Sequence, residues 1–182
     1  MTRLILLDRD GVINADSPDY IKDVDEWVPL PGALEAIAAL KQSGFLVAVC
    51  TNQSGIGRGI VAPAALERIH RRLAERLAEL GVRLDGLRYC PHRPEEDCPC
   101  RKPRPGMLLE SMQALGVGPD ETLFVGDDVR DVEAARAAGC RSALVLCGRG
   151  RAAEAEARAL GVDWVEEDLA AVARRLVAEE RC

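Results

Sequence analysis

The chain is predicted to fold as a three-layer α/β protein around a doubly wound, mostly parallel sheet. Short apolar runs alternate with longer segments whose apolar residues recur at helical spacing, the signature of repeated strand–helix–strand units. The runs are almost continuously apolar rather than alternating, as strands covered on both faces must be. At 182 residues the chain fits one compact domain, residues 1–182, and is short for two.

Each element has a local reason. Leu4–Leu7 is an apolar run that ends in a carboxylate and reads as a buried first strand. Leu34, Ile37, Ala38 and Leu40 mark one face of a helix, with Gly44 as its stop signal. Leu46–Val49 is a second buried strand. Leu66, Ile69, Leu73, Leu77 and Leu80 form a long apolar stripe closed by Gly81. Leu87–Tyr89 is a short third strand. Pro91 to Pro105 is rich in proline, cysteine and charge, and reads as a loop. Met107, Leu108 and Met112 indicate a helix, Thr122–Val125 a strand, Val129–Ala138 a helix and Ala143–Leu146 a strand. Two amphipathic helices follow, the last carrying Leu169, Val172, Leu176 and Val177. The segment joining the first two strands is too compact for a large cap domain.

Composition excludes several function classes. A formal net charge of −6 and few aromatic residues argue against a nucleic-acid binder. No stretch is apolar for long enough to span a bilayer, and the N-terminal apolar run is too short for a signal peptide. A cytoplasmic monomer without nucleic-acid or membrane partners is expected. The seven cysteines are an odd, unevenly spaced set, which argues against a disulfide framework.

In an open parallel sheet, ligands bind beyond the carboxyl ends of the strands. Asp8-Arg9-Asp10-Gly11 follows the first strand, Thr51-Asn52-Gln53-Ser54-Gly55 the second, and Gly126-Asp127-Asp128 the Thr122–Val125 strand. All three sets therefore meet at one sheet edge. Carboxylates gathered there repel one another unless a cation lies between them, and oxygen donors without histidine suit magnesium. Thr51, Asn52, Gln53 and Ser54 offer hydroxyl and amide groups, and Arg58, Arg101 and Lys102 offer positive charge. The glycines at 55, 57 and 59 suggest a loop that turns backbone N–H groups toward an anion. The set describes a phosphoryl-transfer site, with Asp8 as nucleophile and Asp10 handling the proton. Each motif also has a plain structural reading: Asp-x-Asp-Gly as a turn, Asp127-Asp128 as a helix N-cap. Their shared position at strand ends favours the chemical reading.

Cys90, His92, Cys98 and Cys100 place four soft ligands within eleven residues. Three thiolates and one imidazole suit a closed, structural zinc site, the alternative being free thiols in a flexible loop. Such a zinc would order the loop and aim Arg101 and Lys102 at the sheet edge; metal binding can supply on the order of 10 kcal/mol of folding energy. Cys50, Cys140, Cys147 and Cys182 receive no function, and the first three read as small buried residues. His70 reads as solvent-exposed and incidental, and Arg68, Arg71, Arg72 and Arg76 as a solvated face.

Four motifs resemble those of the haloacid dehalogenase-type phosphatases: Leu7-Asp8-Arg9-Asp10-Gly11-Val12-Ile13-Asn14, Thr51-Asn52-Gln53-Ser54-Gly55, Cys100-Arg101-Lys102-Pro103 and Val125-Gly126-Asp127-Asp128. They span most of the chain in the family's order. The zinc loop, the Ser54-Gly55-Ile56-Gly57-Arg58-Gly59 stretch and the missing cap resemble the branch that acts on heptose bisphosphates. The resemblance implies a phosphorylated sugar as partner, losing its C7 phosphate. It implies magnesium held by Asp8, the Asp10 carbonyl and Asp127. It also implies phosphoryl stabilisation by Thr51 and Lys102, substrate recognition by Arg101, and sugar contacts near Asp16 and Arg58. Asp128 stands where relatives can carry a basic residue, so no substrate role is transferred to it. The rival readings are a histidinol-phosphate phosphatase, with the same metal motifs and a similar zinc loop, and a non-catalytic zinc-stabilised binding module.

Overall fold

The computed structural model describes residues 1–180. Six strands, all parallel to their neighbours, form one sheet: β1 (Leu4–Leu7), β2 (Leu46–Asn52), β3 (Gly86–Cys90), β4 (Thr122–Gly126), β5 (Arg141–Val145) and β6 (Trp164–Glu166). Their spatial order is β3-β2-β1-β4-β5-β6. The chain runs outward from β1 in one direction, then returns to add β4 on its other side. The β1/β4 boundary is therefore the switch point, where a crevice opens beyond the strand ends.

Among the described residues six α-helices lie between strands and a seventh follows β6: α1 (Ala33–Gln42), α2 (Ser54–Gly57), α3 (Pro63–Glu79), α4 (Gly106–Leu115), α5 (Val129–Ala138), α6 (Gly150–Ala159) and α7 (Leu169–Glu179). Side chains on β1 alternate between the two faces. Ile5 and Leu7 join the cluster built from α1, α3 and α7, whereas Leu4 and Leu6 join the one under α4 and α5. All four are fully buried, which explains why the strand reads as a continuous apolar run. Leu144 of β5 packs with Val132 of α5 and with Ala153 and Ala157 of α6. Among the described residues no large cap interrupts the fold.

The differences from the expected elements have simple causes. β6 was not anticipated. It has three residues at the sheet edge, and only Trp164 is buried, so it presents no apolar run. β5 begins at Arg141, ahead of the apolar residues, where the Ser142 amide donates to Asp163 Oδ2 at 2.8 Å. Leu80 of the apolar stripe caps α3 and is exposed. Cys50 and Cys140 are buried as expected, but Cys147 is half-exposed, and Cys182 lies outside the described residues. No described helix is long and apolar enough to cross a membrane.

Candidate active site

The turn after β1 fixes the centre of the site. The Arg9 carbonyl accepts from the amides of Val12, Ile13 and Asn14, curling the chain so that Asp8 and Asp10 sit on one tight turn. Gly11 takes φ +81°, and a Cβ there would lie 2.0 Å from Asp127 Oδ2. The Asp8 carboxylate takes the Arg9 amide at 2.7 Å on one oxygen and the Lys102 ammonium at 2.9 Å on the other.

Lys102 is buried to 1% exposure and lies between two carboxylates, with Asp131 Oδ1 at 2.8 Å. These are close ion pairs rather than well-aligned hydrogen bonds. Burial disfavours the ammonium, but Asp131 and Asp8 outweigh it and raise the Lys102 pKa, so it stays charged. Asn52 clamps the Lys102 main chain from β2, accepting its amide at 3.1 Å and donating to its carbonyl at 3.0 Å.

Asp128 is the N-cap of α5, accepting the Arg130 amide, and this leaves Asp127 outside the helix at the end of β4. The N-cap reading was thus right for Asp128 and not for Asp127. Asp131 accepts the amides of Asp127 and Asp128 at 3.1 and 3.2 Å. Oxygens of Asp8, Asp127 and Asp131 all lie within 4.8 Å of one another. Three carboxylates face one ammonium, and the surplus negative charge shows in the acidities. Burial, then the neighbouring carboxylates, push Asp127 up to about 8. Burial raises Asp8 to about 6 against the pull of Lys102. An all-oxygen cluster with uncompensated charge fits a hard divalent cation.

The loop after β5 closes over Asp127. The Arg149 amide donates to Asp127 Oδ2 at 2.8 Å, and the Cys147 thiol donates to the Gly11 carbonyl at 3.1 Å. Gly148 takes φ +55°, and a Cβ on it would lie 2.1 Å from Asp127 Oδ2. Two glycines from separate turns thus enclose one carboxylate.

Asp10 is held differently. Its Oδ1 accepts from Arg9 Nε at 3.0 Å, Arg9 Nη2 at 2.8 Å and Asn14 Nδ2 at 2.9 Å, and its Oδ2 from Gln53 Nε2 at 2.8 Å. Burial favours the neutral acid, yet the Arg9 charge and the hydrogen bonds from Asn14 and Gln53 together hold Asp10 below the usual carboxylate range. Gln53 also donates to Thr51 Oγ1 at 3.0 Å.

These groups open into a cavity of about 260 Å³ at the switch point. Asp8, Asp10, Asp16, Thr51, Asn52, Gln53, Ser54, Arg58, Arg101, Lys102 and Asp127 all line it. So do residues the sequence reading passed over, among them Tyr20, Arg130, Asp131 and Arg149. Arg149 pairs with Asp16 at 3.0 Å and Asp128 at 3.5 Å, and Arg130 pairs with Asp128 at 2.9 Å. Asp131 was signalled by its place three residues after the Asp128 N-cap, where an acidic residue completes a capping box; nothing local singles out Arg149.

Two expectations are corrected. From Gly57 to Gly59 the glycine loop does not turn its amides toward an anion. The Gly57 amide donates to Pro91, Arg58 to Ser54 and Gly59 to Ile56, so the loop is bound to the cysteine segment and to itself. A Cβ on Gly57 would lie 2.6 Å from the Pro91 carbonyl, which explains that glycine by close packing. Nor is His70 incidental: it is half-buried, its Nε2 is 3.1 Å from Arg9 Nη1, and its ring lies 5.7 Å from that of Tyr89. The arginines of α3 are exposed as expected.

Cys90, His92, Cys98 and Cys100 converge so that one ligand atom from each lies within 4.8 Å of the others. None is disulfide-bonded, and the closest pairs are separated by 3.1 to 3.5 Å. Three sulfurs and one imidazole nitrogen at these separations fit a tetrahedral zinc ion. Arg101 and Lys102 follow directly, and Arg101 Nη1 donates to the His92 carbonyl at 3.3 Å.

A family profile described as HAD-hydrolase-like matches residues 99–172. The fold, with carboxylates at the β1/β4 switch point, is that of the haloacid dehalogenase-like hydrolases. The chain is 50% identical over 179 residues to the D-glycero-β-D-manno-heptose-1,7-bisphosphate 7-phosphatase of Pseudomonas aeruginosa, covering 96% of this chain and 97% of the relative. It is 47% identical to the enzyme of the same name from Pseudomonas putida, covering 96% and 99%. The crystal structure of D,D-heptose 1,7-bisphosphate phosphatase from Bordetella bronchiseptica, complexed with magnesium and phosphate, superposes with a TM-score of 0.92 at 44% identity, covering 98% of this chain and 99% of that one. The chain belongs to the D-glycero-β-D-manno-heptose-1,7-bisphosphate 7-phosphatase family.

The raised pKa values of Asp8 and Asp127 set a pH dependence. At these two carboxyls the metal-free folded state binds more protons than the unfolded chain between about 4 and about 8, whereas at His70, held down to about 4, it binds fewer up to the ordinary value of 6.5. The contribution of Asp8 and Asp127 to stability without metal is therefore expected to fall as pH rises through that window, and saturating magnesium to remove that contribution. Thermal melts across this range, with and without the ion, check both. A Gly148→Ala protein is expected to displace the Asp127 carboxylate and weaken magnesium binding about 10-fold or more, read by calorimetry.

Proposed function

We propose that the chain removes the C7 phosphate of D-glycero-β-D-manno-heptose 1,7-bisphosphate, leaving heptose 1-phosphate. One observation carries this reading. A carboxylate held by a buried lysine and a second carboxylate two residues on open together into one cavity, whose rim bears Arg58, Arg101, Arg130 and Arg149. A substrate with two phosphates suits a cavity with a phosphoryl-transfer end and a cationic rim.

The Asp8 carboxylate attacks phosphorus, and the bond from phosphorus to the C7 oxygen breaks. Lys102, beside the Asp8 oxygen, offsets charge on the phosphoryl group, with Thr51 as a further donor. The depressed pKa of Asp10 leaves it ionised at rest; the incoming phosphate raises its proton affinity by like-charge repulsion, so it takes up a proton from solvent as substrate binds. Asp10 gives that proton to the departing C7 oxygen. Asp10 then takes a proton from the water that attacks the aspartyl-phosphate. The bond from phosphorus to Asp8 breaks and inorganic phosphate leaves.

Magnesium would be held by Asp8, Asp127 and the Asp10 carbonyl, and when bound supplies charge neutralisation at the phosphoryl oxygens. Asp131, already matched by Lys102 and two amides, supports the cluster rather than completing it. Cys90, His92, Cys98 and Cys100 would hold zinc, with the loop then bearing Arg101 and Lys102 at fixed positions. Reduced thiols of this kind suit the cytoplasm. The site is complete within one chain, in keeping with a monomer that binds a small phosphorylated sugar.

Phosphate release should be faster from heptose 1,7-bisphosphate than from histidinol phosphate, each with magnesium present. Preference for histidinol phosphate would overturn the substrate while leaving the mechanism standing. Asp8→Asn should abolish release, and a variant working at the normal rate would refute the aspartyl-phosphate. For the loop, protein purified without chelators should carry one zinc per chain by elemental analysis, and its removal should lower the melting temperature.

A further inference from the structure

Arg9 is completely buried, and the reaction above gives it no part. A buried guanidinium is costly unless its donors are matched. Nε and Nη2 are matched by the Asp10 carboxylate at 3.0, 2.8 and 3.1 Å. Nη1 lies 3.1 Å from His70 Nε2, on a helix whose sequence lies 61 residues away. A guanidinium has no acceptor, so the imidazole must accept through Nε2 and carry its proton on Nδ1. Burial and the Arg9 charge hold His70 down to about 4, so it remains a neutral acceptor at neutral pH. The Tyr89 ring beside it limits the imidazole's freedom.

We propose that Arg9 and His70 are positioning residues for proton transfer: His70 locks the Arg9 guanidinium, and Arg9 locks the Asp10 carboxylate toward the leaving oxygen. The proposal rests on Asp10 as the acid and base of the reaction. Without the His70 acceptor, Arg9 Nη1 is left unmatched inside the protein, and the guanidinium must turn to find a partner. Asp10 takes three of its five contacts from Arg9, so its carboxylate turns with it. The ion pair alone would satisfy charge; the imidazole adds direction.

The leaving group separates this role from a merely structural one. A sugar alcohol needs a proton as it leaves, whereas p-nitrophenolate does not. The value of kcat/KM reports steps up to formation of the aspartyl-phosphate, so it isolates the acid role. For His70→Leu, kcat/KM with heptose 1,7-bisphosphate should fall about 10-fold and with p-nitrophenyl phosphate less than about 2-fold. His70→Gln, whose amide oxygen can accept from Arg9, should restore the first value to within about 3-fold of wild type. Equal losses on both substrates, or leucine and glutamine variants that behave alike, would overturn the proposal. If the leucine variant does not fold, His70→Phe replaces it, and a folded glutamine variant more than about 3-fold below wild type with heptose 1,7-bisphosphate is decisive against. Asp10→Asn serves as control. If it keeps the wild-type ratio of the two values, the Asp10 reading falls and takes the proposal with it. If it changes the ratio while His70→Leu does not, the proposal alone falls.

Discussion

The Lys102 ammonium, buried between Asp8 and Asp131, is the interaction on which the rest of the site depends. Lys102 arrives from a loop, Asp8 from β1 and Asp131 from the first turn of α5, so one cation ties three parts of the fold together. Removing one partner from such a buried set typically costs about 3–5 kcal/mol, because the remaining charge is left unmatched. The set is also unbalanced: Asp127 adds a carboxylate without a cation beside it. The fold thus places surplus negative charge at a chosen point, where a divalent cation and then a phosphate can bind.

Holding Lys102 there requires its main chain to be fixed, since a loop by itself leaves a lysine free to withdraw to water. Asn52 supplies two hydrogen bonds to the Lys102 backbone from the end of β2. The cysteine–histidine cluster closes the segment immediately before it. The glycine loop supports the same region from the other side, through hydrogen bonds to Cys90 and Pro91. Through Gln53 and Gly57 the loop is therefore a brace for the cluster. Glycine serves there for close backbone approach, which a sequence cannot distinguish from anion binding.

The Asp8 and Asp10 carboxylates are separated electrically although they stand two residues apart. Asp8 shares its cation with Asp131 and is raised, while Asp10 faces Arg9 and is depressed. Opposite displacement of neighbouring carboxylates suits a division of work between nucleophile and proton carrier. The division comes from different cationic partners, Lys102 on Asp8 and Arg9 on Asp10.

The sheet, the order of its main elements and the gathering of polar groups at one edge were legible in the sequence. A strand buried on both faces must be apolar throughout, and a parallel sheet must present its strand ends together. The four cluster ligands were legible because they lie within eleven residues, where spacing alone brings them close. β6 was hidden because an edge strand of three residues needs no apolar run. Arg9, His70 and Arg149 stayed hidden for a different reason. Arg149 meets Asp16 across 133 residues of chain, and His70 meets Arg9 across 61. The rotation of α3 about its axis and the path of the loop after β5 decide those meetings. Both follow from packing against the sheet, which no local pattern encodes. The sequence by itself determined which groups would stand at the strand ends; the tertiary structure decided what holds each of them in place.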